Sequence, residues 1–147
     1  MRTRVHAVAL RFEWYTGERM PTPATTPSEE RVLDKPADLA RHIVDLLADR
    51  QAEDILLLDI SGVASFADYF VIATAVNSRQ MRALIEIVDK DLRSEGVKPM
   101  HREGDSDSGW VLVDYGAIIL HIFSTDLRGY YALEELWQDA TEVVRIQ

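Results

Sequence analysis

The stretch Tyr69-Phe-Val-Ile-Ala-Thr74, followed closely by Asn77-Ser78, decides the fold of this chain. The apolar run is typical of a buried strand, and Asn77-Ser78 offers an N-cap for a helix that starts immediately after it. The apolar side chains of that helix recur at helical spacing: Met81, Leu84, Ile85, Val88 and Leu92. Gly96 and Pro99 end it. The sequence therefore predicts a buried strand that leads directly into a long amphipathic helix.

Further elements are predicted on both sides of this unit. They are, in order, a helix over residues 36–50, strands over 55–60, 110–115 and 118–123, and a last helix from about Asp126. Pro36 suits the first position of its helix, and Gly116 suits the turn of a hairpin. The last helix carries Leu127, Tyr130, Leu133, Leu136 and Trp137, most of them expected in the core. Strands on both sides of the central helix predict an α+β fold with a small mixed sheet flanked by helices.

The composition of the chain excludes several classes of protein. Its 147 residues are 47% hydrophobic and 28% charged, with a formal net charge of -9 and no cysteine. Disulfides, zinc–thiolate sites and thiol catalysis are therefore excluded. No apolar run approaches the roughly 18–20 residues that cross a bilayer. The acidic balance argues against an autonomous nucleic-acid binder and fits a basic partner. We expect a cytoplasmic protein without a membrane segment.

The first 36 residues of the chain differ from the rest in charge and proline content. Residues 1–31 hold five Arg and four Glu, so residues 32–147 carry a net charge of -10. Four of the five prolines lie within sixteen residues, and residues 20–33 are predicted to be a flexible linker. Val5–Tyr15 is either a short extra strand or an upstream extension that precedes a start at Met20. We therefore divide the chain into an extension with linker at 1–34 and a domain at 35–147.

Candidate catalytic and metal sites are weak throughout. The turn Ala73–Arg79 lacks the glycines of a phosphate loop, although Arg79 could bind an anion weakly. Asp105-Ser-Asp107 lies in a Gly/Ser loop, where solvated turn residues are the usual case. The chain contains the residue types of a catalytic triad in Ser78, His121 and Asp114, but any chain of this length contains such a set. We expect no metal and no cofactor.

One histidine and one tryptophan stand out. His121 lies in an otherwise apolar strand, and Asp114 is its candidate hydrogen-bond partner if the hairpin places the two side by side. Trp110 opens a strand directly after an acidic loop, where aromatic residues often anchor protein–protein interfaces. Tyr131 is expected to point away from the core.

Several blocks of the sequence, in order over roughly residues 37–140, resemble the ribosomal silencing factor family, whose plant member is Iojap. The blocks are Asp54–Asp59, Phe66–Thr74, Asn77-Ser-Arg79-Gln, Glu103-Gly104, Gly109-Trp110 through Gly116, His121-Ile-Phe123 and Arg128–Trp137. The sequence departs from the family pattern in two places. Ala75 stands where many members have glycine, and the first thirty-odd residues have no counterpart.

The resemblance implies a nucleotidyltransferase-like topology without the catalytic residues, in a protein that is usually a homodimer and is not an enzyme. Family members bind a large-subunit ribosomal protein (the L-fourteen type) on the face that meets the small subunit. They thereby block association of the subunits and repress translation, notably when nutrients are short. No sequence-specific contact with nucleic acid is implied.

The residues carried over from the resemblance form two groups. The candidate partner-binding residues are Trp110, Glu103, Gly104, Asp114, His121 and Tyr131. The family-motif residues that support them are Asp68, Ser78, Arg79 and Arg128. The sequence leaves open which of them touch the partner and which hold the surface in shape.

Two other functions stay open at this point. The first is a nucleotide-binding or nucleotidyl-transferring enzyme on the same topology, and the second is a dimeric scaffold with another protein partner. For the dimer contact, Ile118–Phe123 is the candidate sheet edge.

Overall fold

The computed structural model describes residues 32–147, and the following names are used for its elements. After a 3₁₀ turn at Val32–Asp34 come α1 (Pro36–Asp49), β1 (Glu53–Asp59), β2 (Tyr69–Ala75), α2 (Ser78–Ser94), β3 (His101–Glu103), β4 (Trp110–Asp114), β5 (Ile118–Ser124), α3 (Thr125–Tyr131), α4 (Leu133–Leu136) and β6 (Thr141–Ile146). The expected α+β fold is confirmed.

The six described strands form one mixed sheet in the order β3-β4-β5-β2-β1-β6. β2 pairs with β5 in parallel, and every other neighbouring pair is antiparallel. A parallel pair cannot be joined by a tight turn, so the chain crosses over between β2 and β5. That crossover contains α2, β3 and β4.

The sheet buries a separate apolar cluster on each face. Alternation along β2 sends Val71 and Ala73 to one face, and Phe70 and Ile72 to the other. The first face is covered by α1 and α2, and we call it the helical face. The second face is covered by α3, α4 and the loop before β2, and we call it the aromatic face.

Local signals set the bounds of the main helices. The Asn77 side chain accepts a hydrogen bond from the Gln80 backbone N–H at 2.7 Å, which confirms the predicted N-cap of α2. Pro36 occupies the first turn of α1, where a missing N–H costs nothing. His42 of α1 and Asp91 of α2 meet at 2.6 Å between Nε2 and Oδ1, so the two helices are tied together above the sheet.

The C-terminal part departs from the sequence prediction in two ways. The prediction of a single last helix is wrong, because Ala132 adopts φ 44° and ψ 54° and divides this segment into α3 and α4. The strand β6 was missed, since Thr141–Ile146 is a half-exposed edge strand without a continuous apolar run. It pairs with β1 and completes the sheet.

The predicted dimer edge is also wrong. β5 lies inside the sheet between β4 and β2, so its backbone groups are already paired on both sides. The edges of the described sheet are β3 and β6.

None of the helices within residues 32–147 is long and apolar enough to cross a membrane. The predicted linker, the Val5–Tyr15 strand and the Met20 start lie outside the described residues, apart from the linker's last two positions.

A first prediction concerns Gly109, which precedes β4 with φ +80°. An alanine Cβ there would lie 2.7 Å from Leu127 Cδ1 and 3.1 Å from Ser124 Oγ. We expect Gly109→Ala to lower the free energy of unfolding by about 1–3 kcal/mol, because strain and the clash add. Gly62→Ala is the matched control, since nothing lies within 4 Å of its Cβ position. Equal unfolding midpoints in urea for the two variants would contradict this.

A second prediction concerns Tyr115, which lies under α2. Burial, with Asp89 adding to it, raises the pKa of the Tyr115 hydroxyl far above its usual 10.0. Above about pH 10 the unfolded chain therefore loses this proton while the folded chain keeps it, so stability falls as pH rises. The free energy of unfolding should fall more steeply for the wild type than for Tyr115→Phe, by up to about 1.4 kcal/mol per pH unit. Urea unfolding of both proteins at a series of alkaline pH values measures this, and parallel curves would refute it.

Candidate functional site

Strand register brings four of the predicted site residues to the aromatic face. Trp110, Leu112 and Asp114 alternate along β4, so their side chains share one face. Glu103 pairs with Leu112 across β3 and β4, and His121 pairs with Leu112 across β4 and β5. Directly opposed residues point to the same face. Trp110, Asp114, Glu103 and His121 are therefore collected on one side of the sheet.

Trp110 is the centre of an aromatic cluster on this face. Its ring stacks on Phe123 with centroids 4.8 Å apart and meets Tyr131 at 4.7 Å. The indole N–H donates a hydrogen bond to His121 Nδ1 at 3.2 Å. Because that nitrogen accepts, the neutral imidazole carries its proton on Nε2. His121 in turn meets the Phe70 ring edge-on at 4.7 Å.

The structure places Trp110 in the interior rather than at a solvent-facing strand end. Its side chain is only 2% exposed, and His121 and Asp114 are fully buried as well. These three residues therefore form the floor of the site. Glu103 and Gly104 lie nearer to solvent, as does Tyr130, which is 53% exposed. The expectation that Tyr131 points away from the core is wrong, because its half-buried ring packs on Trp110.

Asp114 does not lie opposite His121, as the hairpin hypothesis expected. The register pairs Asp114 with Ile119 and leaves Leu112 opposite His121. The Asp114 carboxylate accepts a hydrogen bond from the Gly116 backbone N–H at 2.7 Å, which closes the β4–β5 turn. Ser78 begins α2 on the helical face, so the structure does not assemble the triad spelled by the sequence.

The acidic loop before Trp110 is organised by its own side chains. Asp105 Oδ1 accepts hydrogen bonds from the backbone N–H groups of Asp107 and Ser108, both at 2.9 Å. This is an Asx turn, the ordinary use of aspartate in such a loop. Within residues 32–147 no group of three His, Asp or Glu side chains is arranged to hold a metal ion.

Arg128, one of the family-motif residues, fastens α3 to the sheet. It is 6% exposed. Its Nη1 donates to the Asp54 carbonyl at 2.8 Å and to Thr74 Oγ1 at 3.0 Å, and its Nε pairs with Glu134 at 3.1 Å. Its Nη2 lies 3.4 Å from the Asp54 carboxylate, which Arg145 of β6 also binds. One guanidinium thus joins α3, α4, β1 and β2.

The segment that Arg128 holds in place carries an acidic surface with apolar anchors. Acidic residues here are Asp126, Glu134, Glu135, Asp139 and Glu142. Tyr130 and Leu136 are exposed, although their helical spacing predicted core positions. The break at Ala132 changes the direction of the chain between them, and no local signal in the sequence marks an alanine for that conformation. We define the acidic aromatic surface as Glu103, Gly104, Tyr130, Tyr131, Glu135 and Leu136.

The arrangement offers groups that suit binding to another protein. Its exposed parts are carboxylates, aromatic rings and one leucine, which complement a basic protein segment with apolar side chains. The buried residues of the floor lie beneath these exposed groups and fix the positions of β4 and α3. The two remaining motif residues lie elsewhere: Asp68 hydrogen-bonds through its backbone N–H to Ala117, and Arg79 is exposed in the first turn of α2.

Comparison with known proteins gives consistent matches. The family model described as "Ribosomal silencing factor during starvation" (RsfS) matches residues 33–147. "Ribosomal silencing factor RsfS" of Bacillus subtilis is 40% identical over 92 residues, which are 63% of this chain and 78% of that protein. The protein of the same name from Halalkalibacterium halodurans is 33% identical over 106 residues, 72% of this chain and 91% of that one. A crystal structure of a Chromobacterium violaceum protein has a TM-score of 0.68 at 32% identity, covering 71% of this chain and 87% of that one.

A third prediction tests the Arg128 network. Arg128→Met leaves the Asp54 carbonyl, Thr74 and Glu134 without their donor, so we expect the free energy of unfolding to fall by about 3 kcal/mol. Arg145→Met removes the other cation from Asp54. Because the Arg145 side chain is 32% exposed, we expect it to cost less than about 1 kcal/mol. Urea unfolding followed by circular dichroism measures both, and equal losses would contradict the assignment of Arg128 as the central contact.

Proposed function

Because this chain belongs to the ribosomal silencing factor family, we propose that it binds the large ribosomal subunit, blocks its association with the small subunit and so represses translation, notably under nutrient limitation. The partner we propose on that subunit is a ribosomal protein of the L-fourteen type. The observation that carries the proposal is the family match, since it spans residues 33–147 and therefore the whole described fold.

The charge of the chain supports a ribosomal partner. Residues 32–147 carry a net charge of -10, and ribosomal proteins are typically basic. Complementary charge speeds encounter and orients docking, while the affinity comes mostly from a few buried anchors. The acidic aromatic surface supplies both kinds of group. Its carboxylates Glu103 and Glu135 lie on the same side of the sheet as Tyr130 and Leu136.

We assign different tasks to the predicted site residues. Glu103, Gly104 and Tyr131 contact the partner, together with Tyr130. Trp110, His121 and Asp114 position these residues from below through the indole–imidazole hydrogen bond and the closed β4–β5 turn. Arg128 positions α3 in the same way, and Asp68, Ser78 and Arg79 support the fold around β2 and α2.

The proposed mechanism needs no catalysis. A protein that occupies the joining face of one subunit blocks the other by excluded volume, so only shape, charge and affinity matter. We propose that the factor is not an enzyme, works without a cofactor, acts in the cytoplasm as a homodimer, and uses the domain at 35–147 for binding.

A fourth prediction tests the proposed function. Purified protein should sediment with isolated large subunits and lower the yield of complete ribosomes when small subunits are added. Tyr130→Ala should weaken binding by roughly tenfold or more, because an aromatic anchor typically contributes about 2 kcal/mol. Val63→Ala is the matched control, since Val63 is also an exposed apolar residue but lies in the loop before β2. Trp110→Phe tests the floor, because it keeps an aromatic side chain and removes the indole N–H that donates to His121.

Two results would contradict the proposal. The first is normal subunit association at a saturating concentration of the protein. The second is Mg²⁺-dependent thermal stabilisation by a nucleoside triphosphate, which would favour an enzyme instead. If a pull-down recovers a protein that is not ribosomal, the scaffold alternative stands in its place.

A further inference from the structure

A second polar site lies on the helical face, behind the loop that leads to Trp110. It is a cavity of about 340 Å³ between α2 and residues 102–107. Its lining includes Arg82 and Ile85 of α2, Arg102 of β3 and Ser106 of the loop. Arg102 pairs with Val113, whose side chain belongs to the helical face, so its guanidinium lies on the side opposite to Glu103. The sheet edge at β3 thus carries an acidic group on one side and a basic group on the other.

The two arginines are available to a ligand. Both are exposed, and neither makes an ion pair with any residue in the described range 32–147. Arg82 Nη2 has one weak contact, a hydrogen bond of 3.4 Å to Ser106 Oγ. Because neither guanidinium is held by a carboxylate in an ion pair, each keeps N–H donors for an oxyanion such as phosphate.

The acidic residues in the lining limit the strength of this site. Asp105 Oδ1 is engaged by two backbone N–H groups of its own loop. Glu86 and Asp107 also border the cavity and lower its potential. We therefore expect weak affinity for a free anion, and a useful contribution only when a neighbouring contact already holds the ligand close. The N-terminus of α2 is not part of the site, because Asn77 caps it.

We propose that Arg82 and Arg102 bind a phosphate of ribosomal RNA while the acidic aromatic surface binds the ribosomal protein, with the Ser106 hydroxyl as an additional donor. The inference rests on the proposed function, since the subunit is the ligand that offers protein and RNA side by side. Contacts to backbone phosphates fix orientation and carry no sequence information. The acidic charge of the rest of the domain then prevents binding to RNA elsewhere.

The test compares two double charge reversals. Arg82→Glu/Arg102→Glu removes the site, and Lys90→Glu/Lys98→Glu makes the same change of charge at two exposed lysines outside the cavity. Binding to isolated large subunits is measured over a range of salt concentrations, and binding to the purified L-fourteen-type protein is measured in parallel. All four substitutions are at exposed positions, and thermal unfolding checks that both variants stay folded.

The arginine variant should bind large subunits roughly tenfold more weakly at low salt than the lysine variant. The slope of its log binding constant against log salt concentration should also be shallower by about 0.8, since one phosphate contact is lost. Its affinity for the isolated ribosomal protein should match that of the lysine variant. Equal subunit affinity and equal salt dependence for the two variants would overturn the inference, and so would an equal loss toward the isolated protein. A wild-type chain that fails to bind subunits overturns the proposed function as well.

Discussion

The parallel pairing of β2 with β5 is the constraint on which the rest of the structure depends. Both strands lie in the middle of the sheet and are apolar on both faces, so each face must be covered. The long crossover supplies α2 for one face, and α1 joins it there. The other face receives only the short helices α3 and α4, with an aromatic cluster in place of a long helix. The site is built on that thinner side.

Short helices need more than apolar packing to hold their position, and Arg128 provides it. A helix of seven residues is unstable alone, because few of its backbone hydrogen bonds are internal. Arg128 adds a buried guanidinium that contacts the backbone of β1 and the side chains of Thr74, Asp54 and Glu134. Since Asp54 itself has φ 43°, the same network also holds a strained strand position. The exposure of Tyr130 and Leu136 follows from this anchoring.

The proposed action by occupation places different demands on the residues of this protein than catalysis would. Carboxylates need not share a proton or a metal, so they can be spread along α3, α4 and the loop at 103–107. Aromatic residues have two roles: Trp110, Phe123 and Tyr131 pack together in the buried cluster, and Tyr130 is exposed. The two arginines of the cavity behind β3 add cationic groups to a mostly acidic domain, in keeping with the proposed contact to both a basic protein and an RNA phosphate.

The sequence by itself determined the elements whose signals are local. The cap at Asn77, the stripe along α2, Pro36 and the apolar runs of β1, β2, β4 and β5 each predict an element from neighbouring residues. These signals, together with the ordered motif blocks, were enough for the α+β class and for the family. They also placed three of the candidate residues, Trp110, Asp114 and His121, on strands whose side chains at these positions share one face.

Only the tertiary structure decided which of these residues meet solvent. Strand order is set by long-range pairing. The local sequence of an apolar strand such as Ile118–Ser124 therefore does not show whether the strand lies at an edge or in the centre of the sheet. The burial of Trp110 depends on Tyr131, which is twenty-one residues away in the chain. The outward position of Tyr130 depends on a left-handed alanine that the fold, not the local sequence, stabilises. β6 exists because β1 offers it a free edge, and its own residues are too polar to predict it.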